Sequence, residues 1–142
     1  MITYVDTSTL LKLLIEEPGS ASAAVIWDSA DVVAAARVLH VEARAALAAA
    51  DRGGRLSRAQ VRRTTTELAG LWQQFTIVEI TAELVDAAGD LAEQEGLRGY
   101  DAIHLAAALQ LGADLLTSAD SDLCGAAGRR GLHVANPIDA AD

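Results

Sequence analysis

The chain predicts an α/β fold in which a parallel sheet is covered on both faces by helices. Short apolar, partly β-branched runs recur along its length, stretches with a helical apolar period lie between them, and Gly or Pro stop signals separate the two kinds of segment. Strands buried on both faces read as apolar runs, and parallel neighbours need helical crossovers, so this alternation favours parallel over antiparallel pairing.

Residues 2–5 read as a first strand, ended by Asp6. Leu10, Leu11, Leu13 and Leu14 then give residues 8–16 a helical period that Pro18 and Gly19 stop. A second helix is expected over 20–29, and Asp31 introduces the run Val32-Val33-Ala34-Ala35, a buried strand. Residues 38–50 are alanine-rich with a 3.6-residue period, closed by Gly53-Gly54. Ser57 followed by Gln60 has the form of a capping box and opens a long helix to about Gln74. Phe75–Ile80 alternates as a strand, and a helix runs from Thr81 to Gly96. Gly99 and Tyr100 lead into a helix at Asp101 that Gly112 closes. Residues 115–117 form a strand, Asp120–Arg130 a helix closed by Gly131, and residues 132–134 a last strand. With no repeat or linker, residues 1–142 are expected to form one domain.

At 142 residues the chain can bury about two-thirds of the surface its unfolded form exposes, and it needs no disulfide staple. Cys124 is the single cysteine, which leaves no intramolecular disulfide and fits a reducing, cytoplasmic setting as a small buried side chain. The N-terminus lacks the basic start and long apolar run of a signal peptide, and the most apolar regions are broken by Asp31, Arg37, His40, Glu42, His104 and Asp114, so neither export nor a membrane span is expected. A net charge of −9 argues against a protein that grips nucleic acid with its whole surface. Arg52, Arg55, Arg58, Arg62 and Arg63 nevertheless form a local basic stretch, read most simply as a solvated helix face, with a phosphate or partner contact as the alternative.

Four acids carry the chemistry: Asp6, Glu42, Asp101 and Asp120. Open parallel sheets bind ligands at the carboxyl ends of their strands, and Asp6 and Asp120 follow expected strands there. Glu42 and Asp101 sit near the starts of helices that can face the same edge. Each aspartate alone is equally an N-cap, whereas Glu42, between Val41 and Ala43, would be costly to bury unpaired. Several carboxylates converging on one point call for a hard cation between them.

The surrounding words resemble the PIN domain and, more closely, the VapC-type toxin ribonucleases of prokaryotic toxin–antitoxin pairs. They are VDTSTLLKLLIEEPGS at 5–20, VEARAAL at 41–47, LRGYDAIHLAAAL at 97–109, LLTSADSDL at 115–123 and GLHVANP at 131–137, in the family's order and nearly spanning the chain. The resemblance implies a three-layer α/β/α sandwich with a central parallel sheet, Mg²⁺- or Mn²⁺-dependent endoribonuclease activity, a homodimer and a VapB-like antitoxin partner. It carries Asp6, Glu42, Asp101 and Asp120 over as metal-holding, catalytic acids, with Ser8 and Ser118 as supporting hydroxyls. Asp122 competes for the fourth position; Asp120 is favoured because Leu123 then falls three residues later, as in the family. Arg44, on the helix of Glu42, and Arg98, just before Asp101, are candidate contacts for RNA phosphate.

His40, His104 and His133 read as packed or hydrogen-bonded histidines, and Trp27 and Trp72 as core or subunit-contact residues. Two other functions compete with the nuclease. In a phosphatase-like or receiver-like domain Asp6 would be phosphorylated, but Ser8 stands where a second aspartate belongs and no lysine lies near the C-terminal strands. A non-catalytic PIN-fold binding module is the other, and the presence of all four acids weakens it.

Overall fold

A computed structural model describes residues 1–139. Its elements run β1 (Ile2–Val5), α1 (Thr7–Leu14), α2 (Ser20–Ser29), β2 (Val32–Ala36), α3 (Leu39–Arg52), α4 (Arg58–Trp72), β3 (Phe75–Val78), α5 (Ala82–Glu95), α6 (Gly99–Leu111), β4 (Leu115–Thr117), α7 (Ser121–Arg129) and β5 (His133–Ala135). The five strands form one sheet in the order β3-β2-β1-β4-β5, every pair parallel.

Side-chain alternation explains the layers. In β2, Val33 and Ala35 point into a core shared with Val5, Leu10, Leu39, Ala43, Leu68 and Phe75, which places α1, α3 and α4 on that face. Ala34 and Ala36 point the other way, with Tyr4, into a second core built from α5, α6 and α7. The expected three-layer sandwich is therefore present. Helix α6 lies deepest: Ala102, His104, Leu105, Ala106, Ala107 and Ala108 are all buried. A helix apolar on nearly all sides has to be enclosed, and alanines on both α6 and β2 permit the close approach. Burying one leucine such as Leu105 contributes about 1.5–3 kcal/mol.

Local signals set the boundaries. The Ser57–Gln60 capping box forms with both reciprocal bonds, and Gly96 and Gly112 close α5 and α6 in the left-handed region at φ 65° and 74°, where a side chain is strained. Several edges differ from the sequence reading: α1 ends at Leu14 rather than at 16, α3 runs on to Arg52, and β5 covers His133–Ala135 rather than 132–134. β3 stops at Val78 rather than Ile80, because β2 ends at Ala36 and offers Glu79 and Ile80 no ladder partner. α4 ends at Trp72, and α6 begins at Gly99, two residues before Asp101.

The sheet order reverses at β1, whose neighbours are β2 on one side and β4 on the other. Connections leave in opposite directions from this point and open a crevice at the carboxyl edge. Val5 pairs with Thr117 at the strand ends, and the Asp6 N–H donates to the Thr117 carbonyl at 3.0 Å. α3 follows the carboxyl end of β2, and α6 must return from that edge to start β4, so both helices present their first turns there.

Candidate active site

Asp6 is the N-cap residue of α1 and is 6% exposed, yet its side chain does not cap the helix. Its Oδ2 instead accepts the hydroxyls of Ser8 and Ser118, each at 2.7 Å. Those hydroxyls in turn accept backbone N–H groups, Ser8 from Ala119 at 2.9 Å and Ser118 from Asp120 at 3.0 Å. Each serine has one proton and gives it to Asp6, so the 3.3 Å approach of the two oxygens is proximity rather than a further bond. The serines thus tie the end of β1 to the loop after β4, and both lie where the sequence placed them.

Glu42 occupies the first turn of α3 with its side chain 23% exposed. Its helix is not apolar all round: Leu39, Ala43 and Leu47 are buried while Val41 and Ala45 are exposed, which leaves Glu42 at the margin of the core. Its Oε1 takes two donors, Thr7 Oγ1 at 3.0 Å and His104 Nε2 at 2.7 Å. His104 is packed and hydrogen-bonded as expected, but it lies inside the acid group: Nε2 is also 3.6 Å from Asp6 Oδ1, and Nδ1 is 2.7 Å from the Tyr4 hydroxyl. Burial works against charging the ring, but the bond to Glu42 and the nearby Asp6, Glu42 and Asp101 outweigh it and hold the imidazole above its usual 6.5. Burial likewise pushes the Tyr4 phenol well above 10.

Asp101 and Asp120 form the other half. Asp101 lies in the first turn of α6 with its side chain 14% exposed. Burial raises its carboxyl above the usual value, with Asp120 and Asp6 adding to the effect and Arg98 opposing it. Arg98 spans the pair, its Nε 3.0 Å from Asp101 Oδ2 and its Nη2 3.1 Å from Asp120 Oδ2, while its own side chain is 80% exposed. Asp120 Oδ1 accepts the Asp122 and Leu123 N–H groups at the start of α7, at 2.9 and 3.3 Å. Asp120 is therefore both N-cap and member of the acid group, whereas Asp122 is exposed and stays outside it.

Three of the four acids share a pattern that Asp120, with both oxygens occupied, does not. Among the described residues, Asp6 Oδ1, Glu42 Oε2 and Asp101 Oδ1 accept no hydrogen bond from the protein, although each acid's other oxygen does. Among those residues no three His, Cys, Asp or Glu side chains form a ready-made cation cage. An oxygen-only donor set with unpaired oxygens, short of a closed cage, fits a hard cation such as Mg²⁺, which keeps several waters and takes few protein ligands. A cleft of about 630 Å³ opens beside the acids, lined by Glu42, Arg98 and Asp101 together with Val85, Tyr100 and Ile103.

Other expectations sort as follows. Arg44 is exposed, and lying two residues after Glu42 it projects about 200° round α3, so it is not brought to the site. Arg98 is brought there, bound to acids. The five clustered arginines are all exposed, as expected of a solvated face. His40 packs edge-on against Trp72, with ring centroids 5.0 Å apart, and Trp27 and Trp72 both contact Phe75 in the core. His133, by contrast, is exposed on the edge strand β5. Cys124 is half-buried, donates to the Ser118 carbonyl at 3.3 Å, and is pushed by burial and the neighbouring acids to about 11. Thr7, Tyr4 and the site role of His104 were not legible in the sequence, although the i, i+3 spacing of Asp101 and His104 on one helix face was a usable signal.

Comparison with known proteins agrees with this geometry. The PIN domain family model matches residues 3–129. The Mycobacterium tuberculosis proteins ribonuclease VapC45 and ribonuclease VapC49 are each 40% identical to this chain over 111 residues, covering 78% of it and 77% of each relative. Among solved structures, FitAcB from Neisseria gonorrhoeae superposes with a TM-score of 0.74 at 19% identity, covering 96% of this chain and 98% of that one. Mycobacterium tuberculosis VapC20, described as a Sarcin-Ricin loop cleaving toxin, gives 0.69 at 18% identity over 92% and 95%. At these identities the two structures show a shared fold. With the family model spanning most of its length and two relatives at 40% identity, the chain belongs to the PIN-domain family.

Proposed function

We propose that this protein is the ribonuclease toxin of a toxin–antitoxin pair, an endoribonuclease that hydrolyses RNA phosphodiesters with Mg²⁺ or Mn²⁺. The observation that carries the reading is the gathering of Asp6, Glu42, Asp101 and Asp120 at the switch point of a parallel sheet, in a chain 40% identical to two VapC ribonucleases. Asp6 Oδ1, Asp101 and Asp120 would hold the ion, with Ser8 and Ser118 fixing Asp6. When bound, the ion supplies Lewis-acid activation of water and neutralises charge on the phosphate. Glu42 offers Oε2 as the acceptor that orients the attacking water, and Arg98, released from Asp101 and Asp120, reaches a phosphate oxygen. No covalent nucleophile is needed, and Cys124, held near 11, is unsuited to be one.

The phosphoryl-acceptor alternative finds no support. Asp6 Oδ2 already holds two hydroxyls, and Lys12, the one lysine, is buried against Glu17 at 3.0 Å rather than at the acids. The acidic chain suits inhibition by a VapB-like antitoxin that places a basic side chain among the carboxylates, and a cytoplasmic homodimer is the setting and assembly that go with this reading. No described helix is long and apolar enough to cross a membrane.

The test is RNA cleavage by the purified protein with Mg²⁺ or Mn²⁺ against Asp6→Asn. A loss beyond about 100-fold is expected, larger than removal of a supporting partner costs; equal activity in the two proteins overturns the reading. Copurification of a small basic-tailed partner from a two-gene expression tests the antitoxin.

A further inference from the structure

We infer that His104 is a positioning residue that fixes Glu42 through an Nε2–H donor, and that the Tyr4 hydroxyl sets which ring nitrogen carries that hydrogen. The inference rests on the reading of Glu42 as a working acid and adds two residues to it. It starts from hydrogen-bond bookkeeping in a dry site, where Tyr4 is 0% and His104 1% exposed. The Ala36 N–H at the end of β2 donates to the Tyr4 oxygen at 3.0 Å. Having accepted there, the phenol directs its single proton to His104 Nδ1, 2.7 Å away. Nδ1 is then the acceptor, and the neutral ring must carry its hydrogen on Nε2, which faces Glu42 Oε1 at 2.7 Å. A charged ring also donates from Nε2, so the contact to Glu42 does not depend on the protonation state.

The consequence is a relay of position from the sheet to the acid. A backbone group of β2 fixes a side chain of β1, which fixes one of α6, which fixes one of α3. Thr7 Oγ1 of α1 supplies the second donor to the same oxygen at 3.0 Å. With Oε1 doubly occupied, the carboxylate cannot rotate without breaking two bonds, and Oε2 is the oxygen left for chemistry. A histidine present only for packing needs neither a defined tautomer nor a donor aimed at a carboxylate. Supporting donors of this kind are worth about 10–100-fold in metal affinity or activity when removed.

Two polar replacements separate positioning from packing. The amide nitrogen of His104→Gln reaches where Nε2 stands, whereas that of His104→Asn stops near Nδ1 and cannot reach Glu42. The full chain is titrated calorimetrically with Mn²⁺ alone, and kcat and KM are measured on an RNA oligonucleotide. His104→Gln is expected to retain at least about tenfold more Mn²⁺ affinity and kcat than His104→Asn, with KM for RNA alike in both. Equal values in the two variants overturn the inference. Tyr4→Phe keeps the ring and deletes the lock, so Mn²⁺ affinity should fall about tenfold; no change overturns the role of Tyr4, and this variant decides the matter where the histidine replacements do not fold. If the wild type binds Mn²⁺ with the expected Gln–Asn difference but cleaves no RNA, the ribonuclease reading fails while the positioning role stands.

Discussion

The two halves of the acid group are held in opposite ways. Asp6 and Glu42 are pinned by buried or half-buried donors from α1, α6 and the loop after β4, with one oxygen of each carboxylate occupied by two of them. Asp101 and Asp120 are joined by one arginine whose side chain is 80% exposed. Buried donors that cannot find water are expensive to remove, whereas an exposed ion pair is screened and contributes little. The first half is preorganised by the fold; the second is held by a single solvent-facing side chain.

Ser118→Ala attacks the pinned half. It leaves the buried Asp6 Oδ2 with one donor and the Asp120 N–H with none, and should cost about 1–3 kcal/mol, lowering the melting temperature by several degrees. A melting temperature unchanged from wild type would show that this half is no better held than the other.

Asp101→Asn probes the loose half through pH. The carboxyl binds its proton more tightly folded than unfolded, so this residue favours the fold in acid, and that contribution is lost as the pH climbs past the usual 3.8 through the raised folded value. At neutral pH the charged form is a cost. Asp101→Asn should therefore melt higher than wild type at pH 7, lose that advantage near pH 3, and cleave RNA poorly. A variant that melts lower at pH 7 would mean that the pair with Arg98 stabilises more than burial costs.

Arg98→Ala should have the smallest effect on stability, a change in melting temperature of at most ~1 °C, because the guanidinium it removes is 80% exposed and its pairing with the two acids is screened by water. Its effect should instead appear as weaker RNA binding with a shallower salt dependence. A large drop in melting temperature would place Arg98 with the pinned donors and erase the contrast.

Much of this could be read from the chain. The element order, the capping box at Ser57 and the glycine stops at Gly96 and Gly112 are local signals that the fold obeys. The four acids and the two serines were legible because they stand in short words at strand and helix ends. The edge of β3 was not, since a strand stops where its neighbour stops, and β2 ends at Ala36. Arg44 was misplaced because proximity in sequence is not proximity on a helix face two residues on.

By itself, then, the sequence determined the α/β alternation, the sheet's burial on both faces and the residue types at its carboxyl edge, all of which depend on periodicity and punctuation within a few residues. Tertiary structure alone decided that Thr7 and His104 meet at Glu42 with Tyr4 behind His104, that Arg98 closes Asp101 onto Asp120, and which oxygen of Asp6, Glu42 and Asp101 is left open. Those facts join residues as far apart as 100 positions, Tyr4 and His104 among them. Which donors reach which carboxylate oxygen follows from how helices dock on the sheet, and that docking is fixed by the packing of two cores rather than by any local run of residues.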